Sequence, residues 1–498
     1  MFSIEGSRPV LLTIGSLMVS TVLVIGGGPA GSTAAALLAR AGLSVTLLEK
    51  ETFPRYHIGE SIASSCRTIV DFVGALSDVD ARGYTQKNGV LLRWGKEDWA
   101  IDWTEIFGPG VRSWQVDRDD FDHVLLNNAA KQGATVIQNA EVKRVIFDGD
   151  RAVAAEWAEP DSGERRTTEF DFVVDASGRA GMIPARHFKH RRANDTFKNV
   201  AIWGYWDGGS LLPNSPQGGI NVIGAPDGWY WVIPLRGNRY SVGFVCHQKR
   251  FLERRSEHGS LEDMLAALVE ESPTVRSLVA TGTYQPGVRV EQDFSYVSDS
   301  FCGPGYFAAG DSACFLDPLL STGVHLALYS GMLASASILG IVNGDVEEEQ
   351  AYGFYETLYR NAFERLFTLV AAVYQQQAGK ANYFALADRL IGEHDEAEFE
   401  RVDGAKAFAQ LIAGLADVSD AMAGRSVPPQ LPAADAGNSV GQLFLAAEQA
   451  RRMAEAGVPK APVSEGLNKI DGLELFDPET GLYLMTSPRL GIGRTRPA

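Results

Sequence analysis

The stretch that decides the fold runs from Thr21 to Lys50 and reads TVLVIGGGPAGSTAAALLARAGLSVTLLEK. It contains, in order, a short apolar strand, a glycine-rich loop, an alanine-rich helix and a second apolar strand. Gly26, Gly28 and Gly31 occupy the glycine positions of G-x-G-x-x-G, where they permit a tight turn, close approach of the backbone to a pyrophosphate, and close helix–strand packing. The stretch therefore predicts a Rossmann-like nucleotide-binding unit.

The loop and the second strand supply the residues expected to bind the nucleotide. The helix that begins near Ala30 presents free N–H groups and the positive end of its dipole to a phosphate. Glu49, followed by Lys50, ends the second strand eighteen residues after Gly31, where a carboxylate can bind a ribose hydroxyl. A glycine-rich turn without a ligand is the alternative, and the strand–loop–helix–strand context argues against it.

The composition narrows the classes of partner. The chain has 498 residues, of which 45% are hydrophobic and 21% charged, with a formal net charge of −17. This acidity argues against nucleic acid as the main partner. The four cysteines show no C-x-x-C or zinc-binding spacing, so we expect reduced packing residues, no metal site and a cytoplasmic location.

The apolar run before Thr21 is superficially similar to a signal peptide. Its second half is the first strand of the nucleotide-binding unit, which cleavage or membrane insertion would destroy. We therefore predict no membrane segment, and we expect residues 1–17 to be a disordered extension or a misassigned start.

Two later segments favour FAD over NAD as the expected cofactor. FDFVVDASGRAG is an apolar strand leading to Asp175, and YFAAGDSACFLDPLL is a short strand ending at Gly310 and Asp311. With the first unit, these segments resemble the FAD-dependent aromatic monooxygenase superfamily. The resemblance implies that Asp311 binds the ribityl chain of FAD and that Arg118, at the start of a predicted helix, contacts the cofactor. From the motif alone, Arg118 is equally compatible with a surface helix cap.

Four further segments narrow the resemblance to FADH2-dependent halogenases. They are the W-x-W-x-I-P match WYWVIP (229–234), the flavin-side segment FPRYHIGESI (53–62), YTQKNGVLLRWG (84–95) and DPLLSTGVH (317–325). The resemblance implies that Lys87 is the lysine on which these enzymes depend. It also implies that the halide lies against the backbone N–H groups of Thr322 and Gly323, and that Pro318 and Gly323 contact FAD.

The implied reaction uses FADH2, O2 and chloride or bromide to halogenate an electron-rich phenolic ring in natural-product or antibiotic biosynthesis. In this family a flavin C4a-hydroperoxide oxidises the halide to hypohalous acid. At Lys87 the amine either orients that acid by hydrogen bonding or forms a chloramine. No second G-x-G-x-x-G with a companion strand is present for NAD(P)H, so we expect a separate flavin reductase.

The phenol-type branch, which includes glycopeptide-antibiotic and chondrochloren halogenases, is the one the chain most resembles. Tryptophan halogenases carry a glutamate two residues before the halide-site threonine, and Leu320 occupies that position. The phenol is either free or bound to a carrier protein. Basic clusters near Arg191 and Arg254 are compatible with an acidic carrier, although solvated surface is the commoner explanation.

Trp229, Trp231 and Pro234 are predicted to separate the organic substrate from the flavin; ordinary core packing is compatible with this reading. An aromatic hydroxylase and a geranylgeranyl-reductase-like flavin reductase share much of this frame and remain alternatives. A non-enzymatic FAD-binding scaffold is a third.

The predicted architecture is α/β, with a Rossmann-like FAD-binding domain interleaved with a substrate-side β-sheet and followed by a helical region. The expected boundaries are a core at 18–345 (FAD parts 18–190 and 285–345, sheet 195–285), a helical region at 346–422, a Pro/Ala/Gly-rich linker at 423–440 and a C-terminal cap at 441–498.

Overall fold

The computed structural model describes residues 20–94, 97–108, 110–159, 162–374, 401–415, 417–418 and 481–494. The predicted extension at 1–17 and the predicted linker at 423–440 lie outside the described residues.

The strands, in chain order, are β1 (Thr21–Ile25), β2 (Ser44–Leu48), β3 (Thr85–Lys87), β4 (Gly89–Trp94), β5 (Glu97–Asp102), β6 (Ser113–Gln115), β7 (Thr135–Ile137), β8 (Glu141–Asp148), β9 (Arg151–Ala158), β10 (Arg165–Glu169), β11 (Phe172–Asp175), β12 (Arg191–Asp207), β13 (Ile220–Ala225), β14 (Gly228–Leu235), β15 (Arg239–His247), β16 (Thr283–Ser298), β17 (Cys302–Gly303), β18 (Tyr306–Ala308), β19 (Cys314–Phe315), β20 (Leu482–Met485) and β21 (Gly491–Arg494).

The α-helices, in the same order, are α1 (Pro29–Arg40), α2 (Ser65–Phe72), α3 (Leu76–Asp80), α4 (Trp103–Phe107), α5 (Arg118–Lys131), α6 (Gln248–Glu257), α7 (Leu261–Glu271), α8 (Pro273–Val279), α9 (Gly323–Val342), α10 (Glu348–Tyr374) and α11 (Arg401–Ile412).

The glycine-rich unit forms the centre of a six-stranded sheet with the order β17-β18-β11-β1-β2-β7. β1 is parallel to both β2 and β11, and α1 connects β1 to β2, which is the Rossmann arrangement. At Gly26 a Cβ atom would lie 2.3 Å from the carbonyl oxygen of Ala176, and at Gly31 it would lie 1.9 Å from that of Gly26. Glycine is therefore required where β1, α1 and the loop after β11 meet.

A second, eight-stranded sheet has the order β19-β16-β12-β15-β14-β13-β4-β5. The range predicted for it, 195–285, omits β4 and β5, and β16 continues through Ser298. The cause is a parallel pairing of β13 with β4, in which Ile220 lies opposite Val90. Such a long-range pairing between segments of unrelated local sequence has no short-range signal, so the sequence assigned β4 to the FAD part.

The two faces of the large sheet pack against different parts of the protein. Trp203, Trp229 and Trp231 belong to the main core, which includes the FAD-side helices. Tyr230 and Val232 alternate with these tryptophans and pack instead against residues of α7 and α8. This alternation follows from the two-residue period of a strand, which places neighbouring side chains on opposite faces.

The core of the FAD-binding part is closed by α9, which packs against α1 and α10. By length and hydropathy α9 is comparable to a membrane-spanning helix, but 94% of its apolar window is buried inside the protein. A helix that is apolar on all sides and enclosed by other elements is a core helix.

The described part of the predicted C-terminal cap is the hairpin of β20 and β21. It packs against the C-terminal half of α9, where Ile492 lies next to Gly340. Gly340 is seventeen residues along the helix from Gly323, which corresponds to roughly 25 Å at the α-helical rise. This hairpin therefore lies far from the predicted halide turn, and residues 441–480 fall outside the described residues.

Candidate active site

A cavity of about 530 Å³ lies at the carboxyl ends of β1, β2 and β11. Most of the residues predicted to contact FAD line it, although they are spread over some three hundred positions of the chain: Gly26, Gly28, Ala30, Glu49, Lys50, Arg118, Asp311, Pro318 and Gly323. Gly31 does not line the cavity because it packs against the backbone of Gly26. The carboxyl end of a parallel sheet is where such folds bind nucleotides.

The phosphate-binding end of the cavity fits a pyrophosphate. A Cβ atom at Gly28 would extend into open space, with Nη2 of Arg55 at 3.6 Å as its nearest neighbour. The N-terminus of α1 and the Arg55 guanidinium together favour an anion there. Arg55 was not singled out from the sequence, although its segment FPRYHIGESI was assigned to the flavin side.

Glu49 shapes the loop through both carboxylate oxygens. Oε2 accepts a hydrogen bond from the backbone N–H of Gly27 at 2.7 Å, and Oε1 accepts one from the N–H of Glu51 at 2.8 Å. A carboxylate offers about four acceptor positions, so these bonds leave capacity for a ribose hydroxyl.

Arg118 is held rigidly beside the cavity. Its Nε and Nη2 donate to the two carboxylate oxygens of Asp122 at 2.8 and 3.0 Å, and its Nη1 donates to the carbonyl oxygen of Ile58 at 2.7 Å. Asp311 lines the same cavity, and burial raises the pKa of its carboxyl group. A buried carboxyl group of this kind is stabilised by donors such as the ribityl hydroxyls of FAD.

The predicted halide turn lies at the N-terminus of α9. Ser321 adopts the left-handed conformation with a φ of 58°, and Thr322 is fully buried. Among the described residues, the amides of Thr322 and Gly323 have no backbone acceptor, and Oγ1 of Thr322 has no partner. Gly323 lines the FAD cavity, and a Cβ atom there would meet nothing within 4 Å. The turn therefore presents unsatisfied donors beside open space, as an anion site requires.

Three tryptophans form a layer along the cavity. The ring centres of Trp203 and Trp231 are 6.0 Å apart, and those of Trp229 and Trp231 are 6.1 Å apart. Trp229 Nε1 donates to the hydroxyl of Tyr374 at 2.7 Å. All three tryptophans line the cavity, and all are almost completely buried.

Pro234 was predicted to belong with Trp229 and Trp231, but it does not line the cavity. Its side chain lies on the opposite face of β14 because it is an odd number of positions from both tryptophans. Val232 is the last residue of β14 that pairs with β13. Pro234 lies two positions later, so its missing N–H removes no hydrogen bond between β14 and β13.

Lys87 does not line the FAD cavity and is buried beside an aromatic ring. Its side chain is only 2% exposed, and Nζ is 5.0 Å from the ring centre of Trp103. Burial lowers the pKa of the amine to about 7, and the nearby Cys66 thiol acts in the opposite direction. No carboxylate of the described residues contributes to this pKa, so loss of hydration controls it.

Helix α11 and the residues after it pack against β5 and the first turn of α9. Phe408 of α11 makes an edge-to-face contact with Trp99, with ring centres 6.4 Å apart. His325 lies 2.8 Å from Oγ of Ser65 through Nδ1 and 2.9 Å from a carboxylate oxygen of Asp417 through Nε2. These contacts engage both ring nitrogens of His325 inside the core.

The glycine loop, the cavity and the converging polar residues define an FAD-binding protein of the Rossmann type. A family model described as tryptophan halogenase matches residues 21–113 and 110–427, which is most of the chain. The chain therefore belongs to the tryptophan halogenase family.

Curated relatives support the same assignment. The chain is 44% identical over 409 residues to Tryptophan 2-halogenase of Chondromyces crocatus, covering 81% of this chain and 77% of the relative. It is 36% identical over 383 residues to sulochrin halogenase gedL of Aspergillus terreus, covering 72% and 70%. The protein is thus an enzyme, a flavin-dependent halogenase that acts on aromatic substrates.

Among solved structures, the myxobacterial chondrochloren halogenase CndH, an FAD-dependent halogenase, superposes with a TM-score of 0.69 and 30% identity, covering 87% of this chain and 97% of that one. This similarity confirms the predicted halogenase resemblance, the α/β fold and the use of FAD. The roles of individual site residues stay predictions.

Proposed function

We propose that the enzyme chlorinates or brominates a phenolic ring at Lys87, using an oxidant made in the separate FAD cavity. The observation that carries this proposal is the separation itself. The halide turn at Thr322 and Gly323 borders the FAD cavity, whereas Lys87 is buried outside it. A hydroxylase or a flavin reductase requires its organic substrate against the flavin, and such a substrate gains nothing from a remote buried amine.

In the FAD cavity, the residues of this chain bind and orient. Bound reduced FAD supplies, with O2, the oxidising equivalent that converts the halide to hypohalous acid. The amides of Thr322 and Gly323 hold the halide, and the α1 N-terminus with Arg55 holds the pyrophosphate. Trp229 and Trp231 occupy the space through which an aromatic substrate would approach the flavin.

At the second site, Lys87 is the acceptor of hypohalous acid. With a pKa of about 7, its amine is present in both protonation states near neutral pH. The neutral amine is a nucleophile that can attack the chlorine of hypochlorous acid, forming an N–Cl bond as the O–Cl bond breaks and the oxygen leaves as water with a proton from the amine. The ammonium is a compact donor that can orient the acid. Both roles require the dry surroundings that Trp103 helps to provide.

The substrate class rests on Leu320. This residue is buried two positions before Thr322, where an acidic side chain would help to activate an indole. A phenol activates its own ring through its oxygen, so it needs no carboxylate from the enzyme. Tryptophan is the competing substrate because the relative from Chondromyces crocatus carries the name Tryptophan 2-halogenase.

Flavin-dependent halogenases generally work with a separate flavin reductase, and we propose the same for this enzyme. We favour a free phenol over a carrier-bound one because the arginine at the centre of the second basic cluster is already paired with two carboxylates. Arg254 donates to the carboxylates of Asp227 and Glu271, and Arg191 lies 4.0 Å over the ring of Tyr296. Arg254 therefore offers little free charge to an acidic carrier.

The test is to supply FADH2 from an independent reductase, O2 and chloride with candidate phenols and with tryptophan. The expected result is a chlorine isotope pattern on a phenol and none on tryptophan. Oxygen insertion without chlorine would support a hydroxylase instead. Saturation of a double bond without O2 consumption would support a reductase, and chlorotryptophan as the main product would contradict the phenol assignment.

A further inference from the structure

We propose that Ser61 and Gln115 guide hypohalous acid from the FAD cavity to Lys87. This inference rests on the proposed function, because it assumes that the oxidant formed beside FAD is used at the buried amine. It goes further by naming the side chains along which the oxidant travels.

Strand register places these residues on one surface. β3 pairs with β6 in antiparallel fashion, with Lys87 opposite Ser113 and Thr85 opposite Gln115. Ser61 forms an isolated antiparallel bridge with Gln115 on the other side of β6. Directly opposite residues share a face, and so do residues two apart in a strand. Lys87, Ser113, Gln115 and Ser61 therefore share one face of this small three-stranded arrangement.

This face connects the two sites. Ser61 lines the FAD cavity, whereas Lys87 does not. Ser61 and Lys87 lie on opposite sides of β6, two strand spacings apart, and their partners Gln115 and Ser113 are two residues apart along β6. This offset corresponds to roughly 12 Å between the Cα atoms of Ser61 and Lys87. A lysine side chain covers part of that distance, so a small neutral acid needs only one or two intermediate positions.

The polar atoms on this face are incompletely satisfied. Oγ of Ser61 and Oε1 of Gln115 are buried and have no hydrogen-bond partner among the described residues. Gln115 is nevertheless fixed, because its Nε2 donates to the carbonyl oxygen of Gly218 at 2.9 Å. Ser113 Oγ is already used, since it donates to the carbonyl oxygen of Ala63 at 2.9 Å. Buried polar atoms without partners are costly, so two of them on one face require an explanation.

Hypohalous acid matches this pair of atoms. It carries one O–H donor, which Oε1 of Gln115 can accept, and an oxygen that the Ser61 hydroxyl can donate to. Glu60 also carries an unpartnered buried oxygen, but it belongs to the opposite face from Ser61 because the two residues are adjacent in an extended segment. The acid moves along Ser61 and Gln115 unchanged, with no bond made or broken before it reaches Lys87.

The experiment measures where the oxidant goes. With FADH2, O2, chloride and a phenol substrate, chlorinated phenol is quantified together with free hypochlorous acid captured by monochlorodimedone. Ser61→Ala removes an Oγ atom that has no partner in the described part of the chain, so none of the hydrogen bonds seen there is lost. We expect the ratio of chlorinated phenol to captured acid to fall about fivefold, the value of one hydrogen bond. Gln115→Met is expected to shift the ratio in the same direction.

Ser337→Ala is the matched control. Ser337 is fully buried in α9, and its Oγ also has no partner among the described residues. It does not line the FAD cavity, and it lies roughly 21 Å along the helix from Gly323 at the α-helical rise. Its ratio should equal that of the wild type. The proposed path would be overturned if the ratio in Ser61→Ala were unchanged, or if it shifted in Ser61→Ala but not in Gln115→Met. An equal loss of FADH2 oxidation and chlorination would also overturn it. Failure of the proposed function is distinguishable, because there Lys87→Ala would continue to chlorinate the phenol.

Discussion

The FAD cavity and the Lys87 site are built in opposite ways. The cavity has a volume of about 530 Å³ and is lined by glycines, backbone amides and charged side chains. Lys87 is 2% exposed, lies against Trp103 and has no carboxylate partner among the described residues that affects its pKa. One site is suited to bind a large anionic cofactor, and the other keeps a single amine dry.

The difference indicates that the two sites serve different steps of the reaction. Unsatisfied donors at the cavity are suited to anions, whereas burial without a charged partner lowers the pKa of the Lys87 amine through loss of hydration. The tryptophan layer, formed by Trp203, Trp229 and Trp231 of the large sheet, lines the cavity. If the oxidant forms in the cavity and is used at Lys87, a substitution at one site should impair its own step and leave the step at the other site intact.

The largest effect is expected at the phosphate loop. Gly28→Val places a branched side chain in the open space beside Arg55, where the pyrophosphate belongs. FAD binding should weaken by about a hundredfold or more, since several charge-assisted hydrogen bonds are lost together. Fluorescence titration with FAD checks this prediction. Gly353→Val, at an exposed position of α10, is the control because a Cβ atom there meets nothing within 4 Å. FAD binding retained in Gly28→Val would show that the loop does not hold the phosphate.

The next effect concerns the cost of burying Lys87. Its pKa is lowered from 10.5 to about 7 in the folded protein, so the unfolded chain binds the additional proton between those values. Stability of the wild type therefore rises with pH across this window, and the full cost is present below about pH 7. Lys87→Met should raise the free energy of unfolding by about 2 kcal/mol or more near pH 6 and by much less near pH 10.

Chemical denaturation at the two pH values measures the stability difference. Lys131→Met is the control because Lys131 is 62% exposed and pairs with Asp78 at the surface, where removal should change stability little at either pH. A Lys87→Met variant that is less stable than the wild type at both pH values would show that the amine is satisfied in the fold.

A smaller effect is expected from the tryptophan layer. Trp229→Phe with Trp231→Phe retains aromatic packing but opens space and removes the indole N–H groups bonded to Tyr374 and Ser241. The share of FADH2 oxidised without halogenation, or oxygen insertion into the phenol, should increase several-fold. Product analysis by mass spectrometry against O2 consumption checks it. If the double variant only loses thermal stability with unchanged coupling, the tryptophans serve packing alone.

The smallest effect is expected at Pro234. Its side chain lies on the other face of β14 from Trp229 and Trp231, away from the cavity. Pro234→Ala should leave the coupling of FADH2 oxidation to halogenation unchanged in the same assay. A loss of coupling comparable to that of the tryptophan variant would show that Pro234 also helps to separate the organic substrate from the flavin.

Local motifs were sufficient to find residues that line one cavity, because a glycine-rich phosphate loop depends on backbone conformation at adjacent residues. Gly26, Gly28 and Glu49 could be assigned from one thirty-residue stretch, and the cavity brings them to Arg118 and Asp311 as expected. The sequence could not place β4 beside β13, because that pairing joins distant segments. It also could not show that Lys87 is dry or that Ser61 and Gln115 share its face, since burial and register are properties of the assembled fold.

The central claim, that oxidant is made at FAD and used at Lys87, is tested most directly by following both steps in Lys87→Ala. FADH2 oxidation, hypochlorous acid captured by a scavenger and chlorinated phenol are measured in one reaction mixture. Chlorinated phenol should fall by about a hundredfold or more, as for loss of an essential catalytic group, while FADH2 oxidation and captured acid persist. Chlorination at the wild-type rate would contradict it, and so would the simultaneous loss of FADH2 oxidation.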